Sequence, residues 1–176
     1  MSTEMETLHR YLGTQREHVL GIVEGLDDEA LRRPVLPSGW SVIAMISHLT
    51  EDVERFWFHA VAGGDAGAVN WSADAWRVPP DVTGAAVLAA YRRAIEESDA
   101  VIATLSPKQQ PAWWPDDLFG TWRLENIRDL MLHVITETGS HTGHLDAARE
   151  LIDGRQWLVL DASGVPTDDA VAVDHR

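Results

Sequence analysis

Long segments with helical periodicity, separated by prolines and glycines, constrain the fold of this chain more than any other feature. Apolar residues recur three or four positions apart within each segment, which is the pattern of an amphipathic helix. Prolines and glycine clusters interrupt this pattern between the segments, and strand patterns are almost absent. The sequence therefore predicts an all-α fold with four long helices, over residues 3–26, 41–62, 83–105 and 124–152.

The connections between the predicted helices refine this architecture. Residues 63–82 form a long link between the second and third helices, which suits a crossover better than a tight hairpin, and links of this length are often functional. Four helices of useful length favour a four-helix bundle. We predict one bundle over residues 1–160, which ends in a short apolar run at 157–160, and a flexible tail over residues 161–176.

Composition excludes several classes of function. The formal net charge of −14 makes nucleic acid and anionic membrane surfaces poor partners. The absence of cysteine excludes disulfides, iron–sulfur clusters and a cysteine nucleophile, so any metal must be bound by histidine and carboxylate groups. The N-terminal residues are polar, and no apolar run approaches membrane-spanning length. We therefore expect a cytoplasmic protein with no membrane partner.

Three side chains that can bind a metal lie within eight residues of the predicted fourth helix: Glu137, His141 and His144. Spacings of four and three place them on one face of a helix. At about 100° per residue, His141 projects from the middle of the apolar stripe, and the other two lie along its flank. Burying such groups is costly unless something compensates, as a divalent metal would.

The predicted second helix carries a similar group. Its spacing predicts one apolar face, formed by Val42, Ile46, Leu49, Val53, Phe56 and Trp57, and an adjoining face with His48, Asp52, Arg55 and His59 at spacings of four, three and four. His48 borders its apolar face and can reach the interior of the bundle, and metal sites in bundles draw their ligands from facing helices. The residues alone leave two readings open, a metal site or hydrogen-bonded core residues. Imidazole ligands favour zinc over magnesium, with nickel, cobalt and iron as alternatives. His133, on the same flank of the fourth helix, we expect to be a hydrogen-bonded core residue.

Two motifs resemble those of a known superfamily. Residues 38–49, SGWSVIAMISHL, with their continuation EDVERFWF, resemble the second helix of DinB/YfiT-like proteins. The pattern ExxxHxGHLDxxRE, over residues 137–150, resembles the fourth helix of the same superfamily. The resemblance covers about residues 1–160. It points to the mycothiol transferase branch, which is similar to mycothiol-dependent maleylpyruvate isomerase.

The resemblance implies a site as well as a fold. Members are four-helix bundles, often dimeric, that bind a divalent metal, commonly zinc. Carried over by position, the metal ligands are His48, Glu137 and His141. Many members have glutamine where this chain has His144, so that residue is a candidate fourth ligand, outer-sphere group or general base. We assign His144 as the candidate catalytic residue.

The activity that the resemblance implies is a metal-dependent S-transfer. A low-molecular-weight thiol such as mycothiol would bind the metal, lose its proton and attack a small electrophile. The lack of cysteine is consistent with a sulfur supplied by the cosubstrate, and His144 or His59 could carry the proton. Two alternatives stay open at this point: a non-catalytic metal-binding stress-response bundle, and a metal-dependent hydrolase that uses metal-bound water.

Overall fold

The computed structural model describes residues 2–69 and 74–157, and the backbone of residues 170–171. Its long helices are α1 (Thr3–Ile22), α3 (Val42–His48), α4 (Gly84–Ile102) and α6 (Ile127–Asp153), and its short ones are α2 (Asp28–Arg32) and α5 (Asp116–Phe119). α3 continues without a break into a π-helical segment, Leu49–Ala62, and a 3₁₀ turn covers Ala66–Ala68. The all-α prediction is confirmed.

The ends of the long helices follow from local sequence. The side chains of Ser2, Thr83 and Asn126 each accept a hydrogen bond from a backbone N–H in the first turn of the following helix. Gly154 ends α6 with a φ of 82°, a conformation that glycine adopts without strain. α1 ends at Ile22, earlier than the predicted residue 26, and α6 begins at Ile127 rather than at 124.

Arg149 explains how the end of α1 is stabilised. Its buried guanidinium donates hydrogen bonds of 2.6 Å to the carbonyl of Ile22 and 2.8 Å to that of Glu24. These carbonyls lack a partner within the helix. The same guanidinium forms an ion pair with Asp153, so one side chain of α6 ties the end of α1 to the end of α6.

The second long helix changes its hydrogen bonding in the middle. From Leu49 onwards it is π-helical, and its last turn includes a bond of 2.9 Å from the N–H of Gly63 to the carbonyl of Phe58, five residues earlier. The wider turn no longer follows the 100° phasing of an α-helix. Three consecutive aromatic residues, Phe56, Trp57 and Phe58, are therefore all buried, where the sequence predicted only the first two on the apolar face.

The long helices pack in two pairs around one core. α1 packs mainly against α6, and α4 packs mainly against the π-helical segment, while α3 touches α4 and α6. Within the described residues, no helix is both long and apolar enough to span a membrane. The largest fully buried side chains come from every long helix and are Met5, Leu12, Ile22, Met45, Ile46, Leu49, Phe58, Tyr91, Ile102, Ile127, Leu130 and Met131.

A buried ion pair crosses this core. The guanidinium of Arg16 in α1 donates two hydrogen bonds of 2.7 Å to the carboxylate of Glu54 in the π-helical segment. The side chains are only 3% and 1% exposed. Arg16 also donates to Asp99 of α4 at 2.7 Å, and Asp99 lies 2.8 Å from His9. Charged side chains thus join α1, the π-helical segment and α4.

The C-terminal part returns to α1. Gln156–Trp157 pairs in parallel with Ala170–Val171, so one of the two short strands falls where the sequence predicted a flexible tail. The rest of that predicted tail, 161–169 and 172–176, lies outside the described residues, as do residues 158–160 of the short apolar run. The Trp157 ring packs closely over Gly21 and stacks on His18, with 4.6 Å between ring centroids.

Candidate metal centre

Two histidines and one glutamate converge where α3 passes into the π-helical segment. His48 is the last residue of α3, and Glu137 and His141 lie one turn apart in the middle of α6. The Nε2 atoms of His48 and His141 are 3.2 Å apart, and Glu137 Oε1 lies 4.0 Å from His48 Nε2. One candidate ligand atom from each of the three side chains lies within 4.8 Å of the other two. All three side chains are half-buried.

The donor set and its spacing fit a divalent metal. Zinc–nitrogen bonds of 2.0–2.1 Å at tetrahedral angles place two neighbouring ligand nitrogens about 3.3 Å apart. The 3.2 Å between His48 Nε2 and His141 Nε2 agrees with this value. Two imidazoles and one carboxylate are also the protein ligands of several catalytic zinc sites, in which a fourth position is left for water or substrate. Glu137 requires a small movement to approach as closely as the histidines.

His48 is held from two sides. Its Nδ1 lies 2.8 Å from Asp52 Oδ2, one turn further along the helix. This carboxylate favours the tautomer with the proton on Nδ1, which leaves the lone pair of Nε2 facing His141 and Glu137. The ring also stacks on Trp76, with 4.4 Å between centroids and 21° between planes. Trp76, which lies between the π-helical segment and α4 in the chain, therefore forms one wall of the site.

Glu137 stays ionised because its neighbours outweigh its burial. Burial raises the pKa of the Glu137 carboxyl, but His133, His48 and His141 together lower it below its ordinary value. The nearest of them is His133, whose Nε2 lies 3.1 Å from Glu137 Oε2. That contact is an ion-pair distance rather than an aligned hydrogen bond. An ionised carboxylate is the form that binds metal.

The environment of His141 favours its neutral form. Burial and the neighbouring His48 lower the pKa of the His141 imidazole below its ordinary value, although the Glu137 carboxylate opposes them. A neutral imidazole is the form that binds metal. Its Nδ1 is buried and has no hydrogen-bond partner among the described residues. Leu130, Val134 and Ala148, which lie within about 20° of His141 around α6, are fully buried, as the spacing predicted, but His141 itself is only half-buried.

The other two histidines with predicted roles, His144 and His59, lie outside the group of three ligands. His144 is exposed, with its ring centroid 5.8 Å from that of His141 and 6.2 Å from that of Trp40. It does not belong to the group of converging ligand atoms. His59, eleven residues beyond His48, is also outside that group, and its Nε2 is buried with no hydrogen-bond partner among the described residues.

Sequence reasoning missed the residues that support the ligands. Asp52 was placed on the same helix face as His48 by its spacing of four, and that spacing was the only signal for its contact. Trp76 lies in a link without periodicity, so no pattern pointed to its stacking on His48. His133 was predicted to be a hydrogen-bonded core residue, whereas its side chain is 31% exposed and faces Glu137.

An all-α bundle with two histidines and a glutamate converging between two helices is a bundle with a candidate metal centre. Residues 7–154 match the family model described as mycothiol-S-transferase. The match covers most of the chain, and the chain therefore belongs to the mycothiol-S-transferase family. The resemblance predicted from the motifs of the second and fourth helices is thus confirmed. No curated protein and no solved structure matches the chain.

Proposed function

We propose that this protein is a metal-dependent S-transferase that activates a low-molecular-weight thiol of the mycothiol type for attack on a small electrophile. The observation that carries the proposal is the convergence of His48, Glu137 and His141 in a chain of the mycothiol-S-transferase family. Zinc as the metal is favoured by the two imidazole ligands. A cytoplasmic homodimer, with the bundle over residues 1–160 and a tail over 161–176, is part of the same proposal.

Each residue of the site has a role in this proposal. His48, Glu137 and His141 would hold the metal, and Asp52 would keep the proton of His48 on Nδ1 so that Nε2 is free to bind. A bound divalent metal lowers the pKa of a thiol that reaches it. His144, exposed beside His141, takes the thiol proton and passes it to water. The thiolate sulfur would then form the new bond to the electrophilic carbon. The electron pair would leave either with a displaced leaving group or, for an activated double bond, on the neighbouring carbon, which then takes a proton from water.

A cavity beside the site is the proposed place for the electrophile. Its volume is about 660 Å³, and its wall is built from the π-helical segment, residues 74–82 and the start of α4. Ser47 and Ala75, which precede His48 and Trp76 in the chain, both line it. Most of the lining is apolar, and Arg55 and Glu51 form an ion pair of 2.6 Å within it. An electrophile with an apolar body fits this lining.

Metal analysis with matched variants tests the metal centre. The double variant His48→Ala, His141→Ala should lose the bound metal, whereas His18→Gln should keep it. His18 is a suitable control because its Nε2 also contacts a carboxylate, that of Asp146 at 2.8 Å, but lies outside the triad. If the double variant retains one equivalent of metal by elemental analysis, the ligand assignment is wrong.

Kinetics with a thiol test the activity itself. The metal-loaded protein should consume a small electrophile only when a low-molecular-weight thiol is present. Consumption without thiol would indicate a hydrolase, and tight metal binding with no consumption under either condition would indicate a non-catalytic bundle. Both results contradict the proposal.

A pair of substitutions on α4 tests the cavity. Ala90→Trp fills the cavity and should raise KM for the electrophile at least about tenfold, because it removes the apolar space that holds the substrate. Ala89→Trp is the control, since residue 89 is exposed and does not line the cavity. Metal content should be the same in both variants. Equal KM values in the two variants would place the electrophile elsewhere.

A further inference from the structure

His133 occupies a place in the structure that none of the proposed roles explains. It lies one turn before Glu137 on α6, and its Nε2 is 3.1 Å from Glu137 Oε2. The other oxygen, Oε1, is the one that lies 4.0 Å from His48 Nε2. The two oxygens of the glutamate therefore face different groups, one the converging ligand atoms and the other His133.

Aromatic rings hold the imidazole of His133 in place. Trp57 meets it edge to face, with 4.6 Å between ring centroids and 72° between planes. Trp122 lies 5.4 Å away at 58°. Trp57 is itself buried and stacks on Phe119, with centroids 5.7 Å apart and planes within 10°. Contact with two indole rings limits the rotamers of this side chain, which is 31% exposed, and in the structure its Nε2 is directed toward Glu137.

We propose that His133 is a positioning residue that orients Glu137 in the metal centre. Oε2 is buried and has no aligned hydrogen bond among the described residues. A small rotation that aligns the Nε2–H of His133 with Oε2 would hold that oxygen away from the centre and leave Oε1 to bind as a single-oxygen ligand. Asp52 would perform the matching task for His48, from one turn further along its own helix. This inference rests on the proposed function, because it needs a metal that Glu137 binds. It also gives Trp122 a role, since this ring packs against the imidazole that would orient Glu137.

Three substitutions separate donation from packing. His133→Phe keeps the aromatic contact with Trp57 but has no N–H. His133→Gln keeps a donor the same number of bonds from the backbone as Nε2, and His133→Asn keeps polarity but is one bond too short. Zinc affinity is measured by competition with a chelator. The Phe and Asn variants should bind zinc about 10- to 100-fold more weakly than wild type, and the Gln variant within about threefold of wild type.

A spectroscopic readout accompanies the affinities. The visible absorption bands of the cobalt(II)-substituted protein report on ligand geometry, and they should change in the Phe variant and be restored in the Gln variant. Equal zinc affinity and equal cobalt spectra in wild type and the Phe variant would overturn the role of His133 while leaving the metal centre intact. Equal losses in the Gln and Phe variants would also overturn it. If the Phe variant does not fold, the comparison of Gln with Asn decides in the same way.

The same experiment distinguishes failure of this inference from failure of the proposed function. If wild-type protein binds neither zinc nor cobalt, the metal centre itself is refuted, and the role of His133 falls with it. If wild type binds metal and every His133 variant binds it equally well, only the inference about His133 is refuted.

Discussion

Removing Arg16 should destabilise the protein far more than its place on one helix suggests. Its guanidinium makes both nitrogen–oxygen contacts with Glu54 at 2.7 Å, and the two side chains are 3% and 1% exposed. In Arg16→Met the Glu54 carboxylate stays buried without its counter-charge. Two unit charges about 4 Å apart interact by about 4 kcal/mol at an effective dielectric constant of 20. Breaking one side of a buried pair typically costs about 3–5 kcal/mol.

Removing the other partner of the pair, Glu54, should lower the free energy of unfolding by less. In Glu54→Leu the guanidinium keeps its 2.7 Å contact with Asp99, which is 39% exposed and accessible to water. The double variant leaves neither charge of the pair in the core, so we expect it to lie within about 2 kcal/mol of wild type. Arg16→Met should therefore destabilise the protein more than Glu54→Leu does. The coupling energy between the two substitutions should be about 2–4 kcal/mol.

Equilibrium urea unfolding of wild type, the two single variants and the double variant measures these quantities. Tryptophan fluorescence and far-ultraviolet circular dichroism should report the same transition if unfolding is two-state. A domain of this size is expected to have about 5–15 kcal/mol of stability, so a loss of about 4 kcal/mol is measurable. The reasoning is refuted if Arg16→Met costs less than about 1 kcal/mol, or if the cost in the double variant equals the sum of the single costs.

Three further predictions concern packing, titration and metal affinity. Gly21→Ala should destabilise the protein by about 1–3 kcal/mol in urea unfolding, because its Cβ would overlap the Trp157 ring. Gly13→Ala on the same helix should stabilise it by about 0.5–1 kcal/mol, since its Cβ meets no atom within 4 Å. Equal effects of the two substitutions would refute this packing. Burial raises the pKa of Tyr91 well above its ordinary value, so above about pH 10 the unfolded state releases a proton that the folded state retains, and stability should fall by up to about 1.4 kcal/mol per pH unit. In Tyr91→Phe this part of the decline in stability at high pH should be absent. At pH 7 the variant should be no less stable than wild type, because the Tyr91 hydroxyl has no hydrogen-bond partner among the described residues. A loss of stability above about 1 kcal/mol at pH 7 would show that the hydroxyl does have a partner. Asp52→Asn should weaken zinc binding by about 10- to 100-fold in chelator competition, and unchanged affinity would show that this carboxylate does not support the centre.

The helices were predictable because their signals are local. Periodicity, an N-cap such as Thr83 and a terminal glycine such as Gly154 depend on neighbouring residues only, and α4 begins and α6 ends within one residue of the predicted positions. The errors are also local in origin. The prediction ran α1 on to residue 26, but its end at Ile22 depends on carbonyls bound by Arg149, a residue more than 120 positions away. No window of sequence contains that contact.

The π-helical segment shows a different limit. An α-helical phase of 100° per residue predicts one apolar face, and it placed Phe56 and Trp57 on it correctly. The change to a wider turn after His48 buries Phe58 and Glu54 as well. The buried Glu54 carboxylate is stabilised by the two hydrogen bonds that the Arg16 guanidinium donates from α1. A pair of charges this far apart in the chain has no characteristic spacing that the sequence could reveal.

The sequence by itself determined which residues are available for a metal and which helices carry them. The spacing of four between Glu137 and His141 puts both on one side of α6, and the motif around His48 identified the family. Only the tertiary structure brought His48 within 3.2 Å of His141, across 93 residues of chain, and added Asp52, Trp76 and His133 around the ligands. The physical reason is that helix faces follow from local backbone geometry, whereas the meeting of two faces depends on how the whole core packs.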